Sequence, residues 1–190
     1  MTKQNVRGRI IKSLGGFYYV ADSEQKGNII ECRARGAFRQ QNVKPCVGDW
    51  AQVELTLQGK GYVVEIEERK NSLVRPPLAN LDQLVLVVSI ADPAPNAFVL
   101  DKLIAIAEYQ EIEPIIVITK CDLADPEEFA QIYRKAGFTV LETKSLQHEG
   151  IESVMEILKD KTSAFCGNSG AGKSTLLNAI DPRLSLDTGD

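Results

Sequence analysis

The stretch GNSGAGKST at residues 167–175 matches the pattern G-x-x-x-x-G-K-[ST] at every fixed position. Gly167, Gly170 and Gly172 allow turns that a Cβ atom would hinder, so successive backbone N–H groups can converge on phosphate oxygens at a helix N-terminus. An apolar segment, TSAFC, precedes the stretch, and a segment of helical spacing, STLLNAI, overlaps its end and follows it. This is the context that the motif needs. We therefore predict a phosphate-binding loop (P-loop) rather than a chance glycine-rich turn.

The residues of this loop have different expected tasks. The ammonium of Lys173 would reach the β- and γ-phosphates of a nucleotide, and the hydroxyl of Ser174 would be a ligand of Mg²⁺. The other predicted nucleotide contacts in the loop are Asn168, Ser169, Ala171 and Thr175. A nucleotide-binding loop normally opens a domain, whereas this sequence ends at residue 190. The rest of the domain is therefore expected upstream.

The region from residue 81 to the P-loop alternates between two kinds of apolar segment. Short continuous β-branched runs are typical of buried strands, and longer segments with apolar residues at helical spacing predict helices. In DPEEFAQIYRKAG, Asp125 is the expected N-cap and Pro126 the first helical residue. The alternation predicts a parallel sheet with helices on both faces. The predicted strands are LVLVVSI, PIIVIT, FTVLE and TSAFC, and the predicted helices are FVLDKLIAIAEYQ, EEFAQIYRKA, GIESVMEILK and STLLNAI.

A second polar cluster, TKCD at residues 119–122, follows the predicted strand PIIVIT. Open α/β sheets bind ligands at the carboxyl ends of their strands. The carboxylate of Asp122 could accept hydrogen bonds from N1–H and the exocyclic amine of guanine, a donor pair that adenine lacks. The stem of Lys120 could cover the purine, Thr119 could connect this loop to the P-loop, and Cys121 lies between them. Alone, TKCD fits a simple helix entry equally well; together with a P-loop it predicts a guanine site.

A third strand end, LETKS at residues 141–145, is expected at the same edge of the sheet. Its backbone amides at Lys144 and Ser145 could meet the O6 atom of guanine. Three strand ends would then supply phosphate contact, base contact and support for the base.

The first part of the chain has a different pattern, with a period of two. In NIIECRAR the apolar Ile30, Cys32 and Ala34 alternate with charged residues, and in AQVELTL Val53, Leu55 and Leu57 alternate with polar ones. With RGRIIKSL, FYYVAD and GYVVEIEE these segments predict five short antiparallel strands separated by glycine-containing turns. Such a chain fits a small barrel of the OB type, and an SH3-like barrel remains an alternative. We expect a barrel over residues 1–74, a hinge at 75–80 (RPPLAN) and the α/β domain over 81–190.

Composition and charge limit the cellular setting. The chain has 190 residues, and its four cysteines are widely spaced and form no CxxC pair, so neither a disulfide framework nor a zinc site is expected here. No apolar run approaches the ~20 residues of a membrane helix, and the N-terminus does not resemble a signal peptide. We therefore expect a cytoplasmic protein that does not interact with membranes.

The charge is divided unevenly along the chain. Residues 1–77 hold 13 Lys and Arg against 8 Asp and Glu, a balance of +5, whereas residues 78–190 hold 9 against 18, a balance of −9. A basic barrel suggests a polyanionic partner, although surface charge also serves solubility. The candidate RNA contacts are Arg33, Arg35, Arg39 and Lys44. The alternative is that Arg33 and Arg35 are merely the solvent face of an alternating strand.

These residues together resemble the motifs of the GTPases, with TKCD at the place of Asn-Lys-x-Asp, TKS at that of the Ser-Ala-Lys element, and GNSGAGKS as the P-loop. In most GTPases the P-loop comes first, whereas here TKCD precedes it. With a basic barrel in front, the chain resembles the small ribosomal subunit biogenesis GTPases, the RsgA (YjeQ or YloQ) family, in which the GTPase domain is circularly permuted. The resemblance implies GTP or GDP with Mg²⁺ as ligands, the small (30S) ribosomal subunit and its rRNA as partners in late maturation, and a monomer. It also implies a C-terminal domain that binds Zn²⁺.

The sequence departs from the family pattern in two places. Thr119 stands where the family usually has Asn, and the sequence ends at SLDTGD, where the switch regions and the zinc domain are expected to follow. We therefore expect residues 1–190 to bind guanine nucleotide weakly and to hydrolyse it negligibly, with the catalytic groups beyond residue 190. An alternative function is an RNA-binding module that senses nucleotide with little turnover. A kinase-like ATP enzyme is a third class, which Asp122 disfavours.

Overall fold

The computed structural model describes residues 5–36, 38, 44–57 and 59–188. The chain divides into two compact units, Met1–Asn80 and Leu81–Asp190, and each is described separately. In the described part of the chain, no helix is both long and apolar enough to cross a membrane.

The first unit is built on a closed barrel of five strands in the order β1-β2-β3-β5-β4. Neighbouring strands are antiparallel except β3 and β5, which pair in parallel. The prediction of five strands in a small barrel is confirmed, but the expectation that all of them pair antiparallel is wrong. The chain between β3 and β5 contains β4, which lies on the other side of β5, so closure brings β3 and β5 together in the same direction. The strands are β1 Asn5–Leu14, β2 Phe17–Asp22, β3 Ile29–Ala34, β4 Trp50–Leu55 and β5 Gly61–Ile66.

The two-residue alternation fills the interior of the barrel. The buried cluster contains Ile10, Tyr18, Val20, Ile30, Cys32, Val53 and Val63, among others. Gly61 lies among these side chains, because a Cβ atom there would be 2.4 Å from the Cγ1 atom of Val53. The predicted apolar face of AQVELTL does not extend to Leu57, which is 98% exposed because β4 ends at Leu55.

The rest of the first unit packs on the barrel through a small ribbon. Strand β6 (Ser72–Leu73) pairs antiparallel with β7 (Leu78–Ala79). Ala79 is fully buried and its amide donates to the Val47 carbonyl at 2.9 Å. Residues 75–80, expected to form a hinge, thus lie within the first unit and carry one of its strands.

The second unit is a parallel sheet of four strands in the order β10-β9-β8-β11. Its strands are β8 Gln83–Ser89, β9 Glu113–Thr119, β10 Thr139–Glu142 and β11 Ser163–Cys166. Four helices follow the strands: α1 Ala97–Tyr109, α2 Glu127–Lys135, α3 Ile151–Leu158 and α4 Lys173–Ile180. The predicted parallel α/β sheet is confirmed. Because all strands run in one direction, their carboxyl ends lie at a single edge of the sheet.

The central strands β8 and β9 are almost completely buried, as their continuous β-branched sequences predict. The start of α2 differs from the prediction by one residue, because Pro126 occupies the N-cap and the helix begins at Glu127. Asp125 still caps this end, since its carboxylate accepts a hydrogen bond from the Glu127 amide at 3.0 Å.

Candidate functional site

The P-loop connects β11 to α4 at the carboxyl edge of the sheet. Gly167 packs so closely on β8 that a Cβ atom would be 2.2 Å from the Val87 carbonyl oxygen. Gly172 has a φ of 82° and leads directly into α4. The Nζ atom of Lys173 turns back over the loop and donates to the carbonyls of Gly167 and Asn168 at 2.8 and 2.7 Å. The loop therefore closes around the lysine ammonium, which lies beside the first turn of the helix.

The backbone amides of this loop are available for an anion. The Ala171 amide donates to the Asn168 carbonyl at 3.3 Å, whereas the amides of Ser169, Gly170 and Ser174 have no protein acceptor among the described residues. Free amides at a helix N-terminus attract phosphate through hydrogen bonding and the helix dipole. This arrangement, together with the ammonium of Lys173, suits a di- or triphosphate.

Thr119 ends β9 and joins the TKCD loop to the P-loop. Its hydroxyl donates to the Ala171 carbonyl at 2.7 Å, and the residue is 2% exposed. The connection expected from the sequence between these two loops is therefore confirmed. It fixes the end of β9 against the phosphate-binding loop.

Residues 89–96 also belong to this site, although the sequence interpretation did not single them out. The Nζ atom of Lys120 donates to the Asp92 carbonyl, and a Cβ atom on Gly170 would lie 3.3 Å from the Cδ atom of Pro93. This segment thus contacts both the TKCD loop and the P-loop. A signal was present in the sequence: three polar or proline-rich turns, DPAPN among them, follow buried strands at the same sheet edge.

The side chain of Asp122 is exposed. Among the described residues, its carboxylate has neither a hydrogen-bond donor nor a salt-bridge partner, so both oxygens can accept from a ligand. The neighbouring Cys121 is half-buried, and its thiol donates to the Ile118 carbonyl at 3.5 Å. Burial raises the pKa of this thiol, which keeps it protonated near neutral pH.

The LETKS segment differs from the expectation in one of its two amides. The Lys144 amide donates to the Glu149 carbonyl at 3.0 Å, and the Lys144 ammonium forms a 2.6 Å salt bridge with the Glu149 carboxylate. The Lys144 amide, expected to donate to the base, thus already has a protein acceptor, because the loop closes on itself. The Ser145 amide has no acceptor in the described part of the chain, and the Ser145 hydroxyl is buried without a partner.

The described residues do not provide a metal site made of protein side chains alone. Within the described ranges, no group of three or more His, Cys, Asp or Glu side chains could hold a metal ion. The Ser174 hydroxyl lies at the start of α4 beside the P-loop. A single hydroxyl ligand suits a cation that is held mainly by phosphate oxygens and water, as Mg²⁺ commonly is.

The candidate RNA contacts lie on the barrel, in the first unit. Arg33 is exposed, and its guanidinium lies 4.7 Å from the centre of the Phe17 ring. Arg35 forms a 2.7 Å salt bridge with Glu54, and Lys44 is exposed. Arg39 lies outside the described residues.

The comparisons with known proteins agree with this architecture. Residues 66–190 match the family described as RsgA GTPase, and residues 7–63 match the family described as RsgA N-terminal domain. The chain is 46% identical over 190 residues to the small ribosomal subunit biogenesis GTPase RsgA of Caldanaerobacter subterraneus subsp. tengcongensis, covering 98% of this chain and 63% of that protein. It is 42% identical over 191 residues to the protein of the same name from Bacillus subtilis, covering 96% of this chain and 64% of that protein. The chain thus spans somewhat less than two thirds of the length of these relatives.

Two solved structures have the same fold. The crystal structure of YjeQ from Thermotoga maritima superposes with a TM-score of 0.84 at 36% identity, covering 98% of this chain and 68% of that one. The structure of YloQ, described as a circularly permuted GTPase, superposes with a TM-score of 0.79 at 40% identity, covering 95% and 66% of the two chains. The order in which the TKCD loop precedes the P-loop in this chain agrees with that description. On the strength of these matches, the chain belongs to the RsgA GTPase family.

Proposed function

We propose that this chain binds a guanine nucleotide at the carboxyl edge of its parallel sheet, as part of a GTPase that acts in late maturation of the small (30S) ribosomal subunit. The observation that carries the proposal is the 2.7 Å hydrogen bond from the Thr119 hydroxyl to the Ala171 carbonyl. It ties a loop suited to a base to a loop suited to phosphates, as one nucleotide spanning both would require.

Guanine selectivity is assigned to Asp122. Its two free carboxylate oxygens can accept from N1–H and the exocyclic amine of guanine, whereas adenine presents no such pair. An adenine nucleotide would leave the Asp122 carboxylate without hydrogen-bond donors. The carboxylate would then lose its solvation without compensation, so the site should discriminate strongly against adenine. The Ser145 amide is the remaining candidate donor to the guanine O6 atom.

The phosphates are assigned to residues 167–175. The free amides and the Lys173 ammonium would neutralise the β- and γ-phosphates, and the Ser174 hydroxyl would be one ligand of Mg²⁺. Hydrolysis to GDP and phosphate further needs a group that orients the attacking water. We assign no residue of this chain to that role, and we expect residues 1–190 alone to turn over GTP very slowly. Zn²⁺ is expected only in the further domain of the family.

The partners proposed are the small ribosomal subunit and its rRNA, with contact through the barrel. The names of the relatives, which describe small ribosomal subunit biogenesis, and the balance of +5 over residues 1–77 support this assignment. A ribosomal partner also implies a cytoplasmic location. We propose that the chain acts as a monomer.

The test is a titration of a fluorescent GDP analogue with Mg²⁺ onto the chain, competed by unlabelled GDP or ADP. The proposal expects GDP to compete at least 100-fold better than ADP, and Asp122→Ala to abolish this preference. Asp160→Asn is the matched control, since Asp160 is an exposed carboxylate just before β11, at the opposite edge of the sheet. Equal competition by ADP would show that TKCD is only a helix entry, and would refute the proposal.

The rate of GTP hydrolysis distinguishes a GTPase from the alternative, an RNA-binding module that senses nucleotide. A GTPase of this family should show a GTP hydrolysis rate that rises when small ribosomal subunits are added to the full-length protein. Nucleotide binding with no such rise would favour the sensing module.

A further inference from the structure

The outer face of the barrel carries an unusual row of side chains. Phe17 on β2 lies directly opposite Arg33 on β3, and Arg33 in turn lies opposite Tyr62 on β5. The guanidinium of Arg33 lies 4.7 Å from the centre of the Phe17 ring, and Tyr62 is 42% exposed. A row across three neighbouring strands spans about 10 Å, since strands are separated by about 4.8 Å. An exposed cation is therefore flanked on both sides by aromatic rings.

The next outward row adds one more aromatic residue beside a cation. Two residues further along β2, Tyr19 lies opposite Lys12 on β1 and opposite Glu31 on β3. The Nζ atom of Lys12 lies 5.4 Å from the centre of the Tyr19 ring. Because residues two apart in a strand share a face, Phe17 and Tyr19 point outward while Tyr18 and Val20 fill the core. The same side of the barrel thus presents three aromatic rings with two cations against them.

Arg35 and Lys60 on this face are paired with Glu54 and Glu31, whereas two other cations have no acidic partner among the described residues. Among the described residues, neither Arg33 nor Lys12 has a carboxylate within salt-bridge distance. The cations that lie over the Trp50 ring of the barrel provide a comparison. Arg7 lies 4.1 Å from the centre of a Trp50 ring, but its guanidinium is held by both carboxylate oxygens of Glu67 at 2.7 and 2.8 Å. The Trp50 cluster is therefore satisfied within the protein, whereas the Phe17–Arg33–Tyr62 row is not.

Two depressions meet at this row. A groove of about 730 Å³ is lined by Phe17, Arg33, Arg35 and Lys44 among others. A second depression of about 290 Å³ is lined by Phe17, Arg33 and Tyr62, and also by Lys60 with its salt-bridge partner Glu31. Because both contain Phe17 and Arg33, they form one continuous surface with basic side chains at intervals. An extended polymer bound along this surface would contact basic side chains at several points and aromatic rings near the centre.

We propose that this face of the barrel binds an unpaired RNA strand, with at least one base stacked at the Phe17–Arg33–Tyr62 row. The inference rests on the proposed rRNA contact and specifies its ligand. Bases of a single strand can stack on aromatic rings and on guanidinium planes, whereas the bases of a duplex are hidden in its own stack. Phosphates of the strand would pair with Lys12, Arg33 and Lys44. Duplex RNA would use the charges but not the rings.

The test is fluorescence anisotropy of the chain with fluorescein-labelled U12, free or annealed to A12, at 0.1 M salt. A surface that reads charge alone would bind the duplex at least as tightly, because the duplex carries about twice the phosphates. The proposal expects free U12 to bind at least fivefold more tightly than the duplex. Phe17→Leu and Arg33→Lys should each lower the affinity for U12 at least fivefold, although the second keeps the charge. Lys26→Gln, which removes a cation from the opposite end of the β2–β3 hairpin, should change it less than twofold.

Thermal unfolding and the GDP titration identify variants that fail to fold, and Tyr62→Ser replaces Phe17→Leu if the latter unfolds. Three results would each overturn the inference while leaving the rRNA contact intact. The first is equal affinity for U12 and the duplex, and the second is unchanged U12 binding by the variants. The third is that polyglutamate, which offers negative charge without bases, displaces labelled U12 as well as unlabelled U12 does. Failure of the chain to bind either RNA, with GDP binding intact, would overturn both the inference and the rRNA contact. If the chain binds U12 but does not prefer GDP to ADP, the nucleotide assignment is refuted and the proposed RNA-binding surface is supported.

Discussion

The Thr119 hydroxyl and the Ala171 carbonyl oxygen are 2.7 Å apart, although 52 positions separate the two residues in the chain. Thr119 ends β9 and Ala171 lies in the P-loop, and both are 2% exposed. One threonine hydroxyl donates the hydrogen bond that links the two loops. This buried hydrogen bond therefore helps to fix the two loops relative to each other, beside the contacts of Asp92 with Lys120 and of Pro93 with Gly170.

Replacing this donor should loosen the site. Thr119→Val keeps the shape of the side chain but leaves the Ala171 carbonyl buried without a partner, which costs about 1–3 kcal/mol. We expect a loss of that size in urea unfolding and at least a fivefold weaker affinity for the GDP analogue. Thr119→Ser, which retains the hydroxyl, should keep most of both. An unchanged GDP affinity in the valine variant would mean that the two loops are positioned by other contacts.

Asp122 offers a test of base recognition by exchange of specificity. In Asp122→Asn one acceptor becomes an amide donor, which suits xanthine, where a carbonyl replaces the exocyclic amine of guanine. The variant should bind GDP at least 100-fold more weakly and should bind xanthosine diphosphate more tightly than the wild type does. Competition against the fluorescent GDP or xanthosine analogue measures both. Parallel losses for the two nucleotides would indicate a general disturbance of the loop.

The candidate nucleotide site could be recognised in the sequence largely because its parts are local. Residues 167–175 carry their own spacing, and the end of each buried strand is marked by a change from β-branched to polar residues. The contacts of Lys120 with the Asp92 carbonyl and of Pro93 with Gly170 could not be foreseen. These contacts join segments that are far apart in sequence. One uses a backbone carbonyl and the other a glycine, and neither group reveals in the sequence which residue it will contact. The self-closure of the Lys144 loop on Glu149 was missed for the same reason.

The barrel shows the same division between local and long-range information. Alternation predicted the buried side chains of Ile30 and Cys32 in β3. It could not predict the parallel pairing of β3 with β5, which depends on how the sheet closes. That pairing is what places Tyr62 beside Arg33, so the aromatic row could be recognised only in the folded barrel.

Two bidentate arginine–carboxylate pairs in the barrel should differ greatly in their contribution to stability. The Asp49 carboxylate is fully buried and accepts from Arg69 at 2.7 and 2.9 Å and from the Cys46 amide at 2.8 Å. Arg69→Gln leaves this buried charge without its partner, which costs about 3–5 kcal/mol. Arg7→Gln breaks the pair between Arg7 and Glu67, whose side chains are 45% and 33% exposed, and should lower the unfolding free energy far less because solvent screens this pair. Urea unfolding followed by fluorescence of Trp50, the single tryptophan, measures both; similar losses would contradict the expected effect of burial.

Tyr133 should make the second unit sensitive to alkali. Its hydroxyl donates to the Asp101 carboxylate at 3.0 Å, and burial, with this hydrogen bond, raises the pKa of Tyr133 from 10.0 to about 12. Because the folded-state pKa is raised, the stabilisation is fully present below pH 10 and is lost as the pH rises through about 12. By pH 11 the wild type should have lost about 1 kcal/mol of unfolding free energy that Tyr133→Phe does not lose. Urea unfolding of both proteins by circular dichroism between pH 8 and 11 isolates this difference, since all other titrating groups are shared. Parallel pH profiles would show that the hydroxyl ionises with an ordinary pKa in the folded protein.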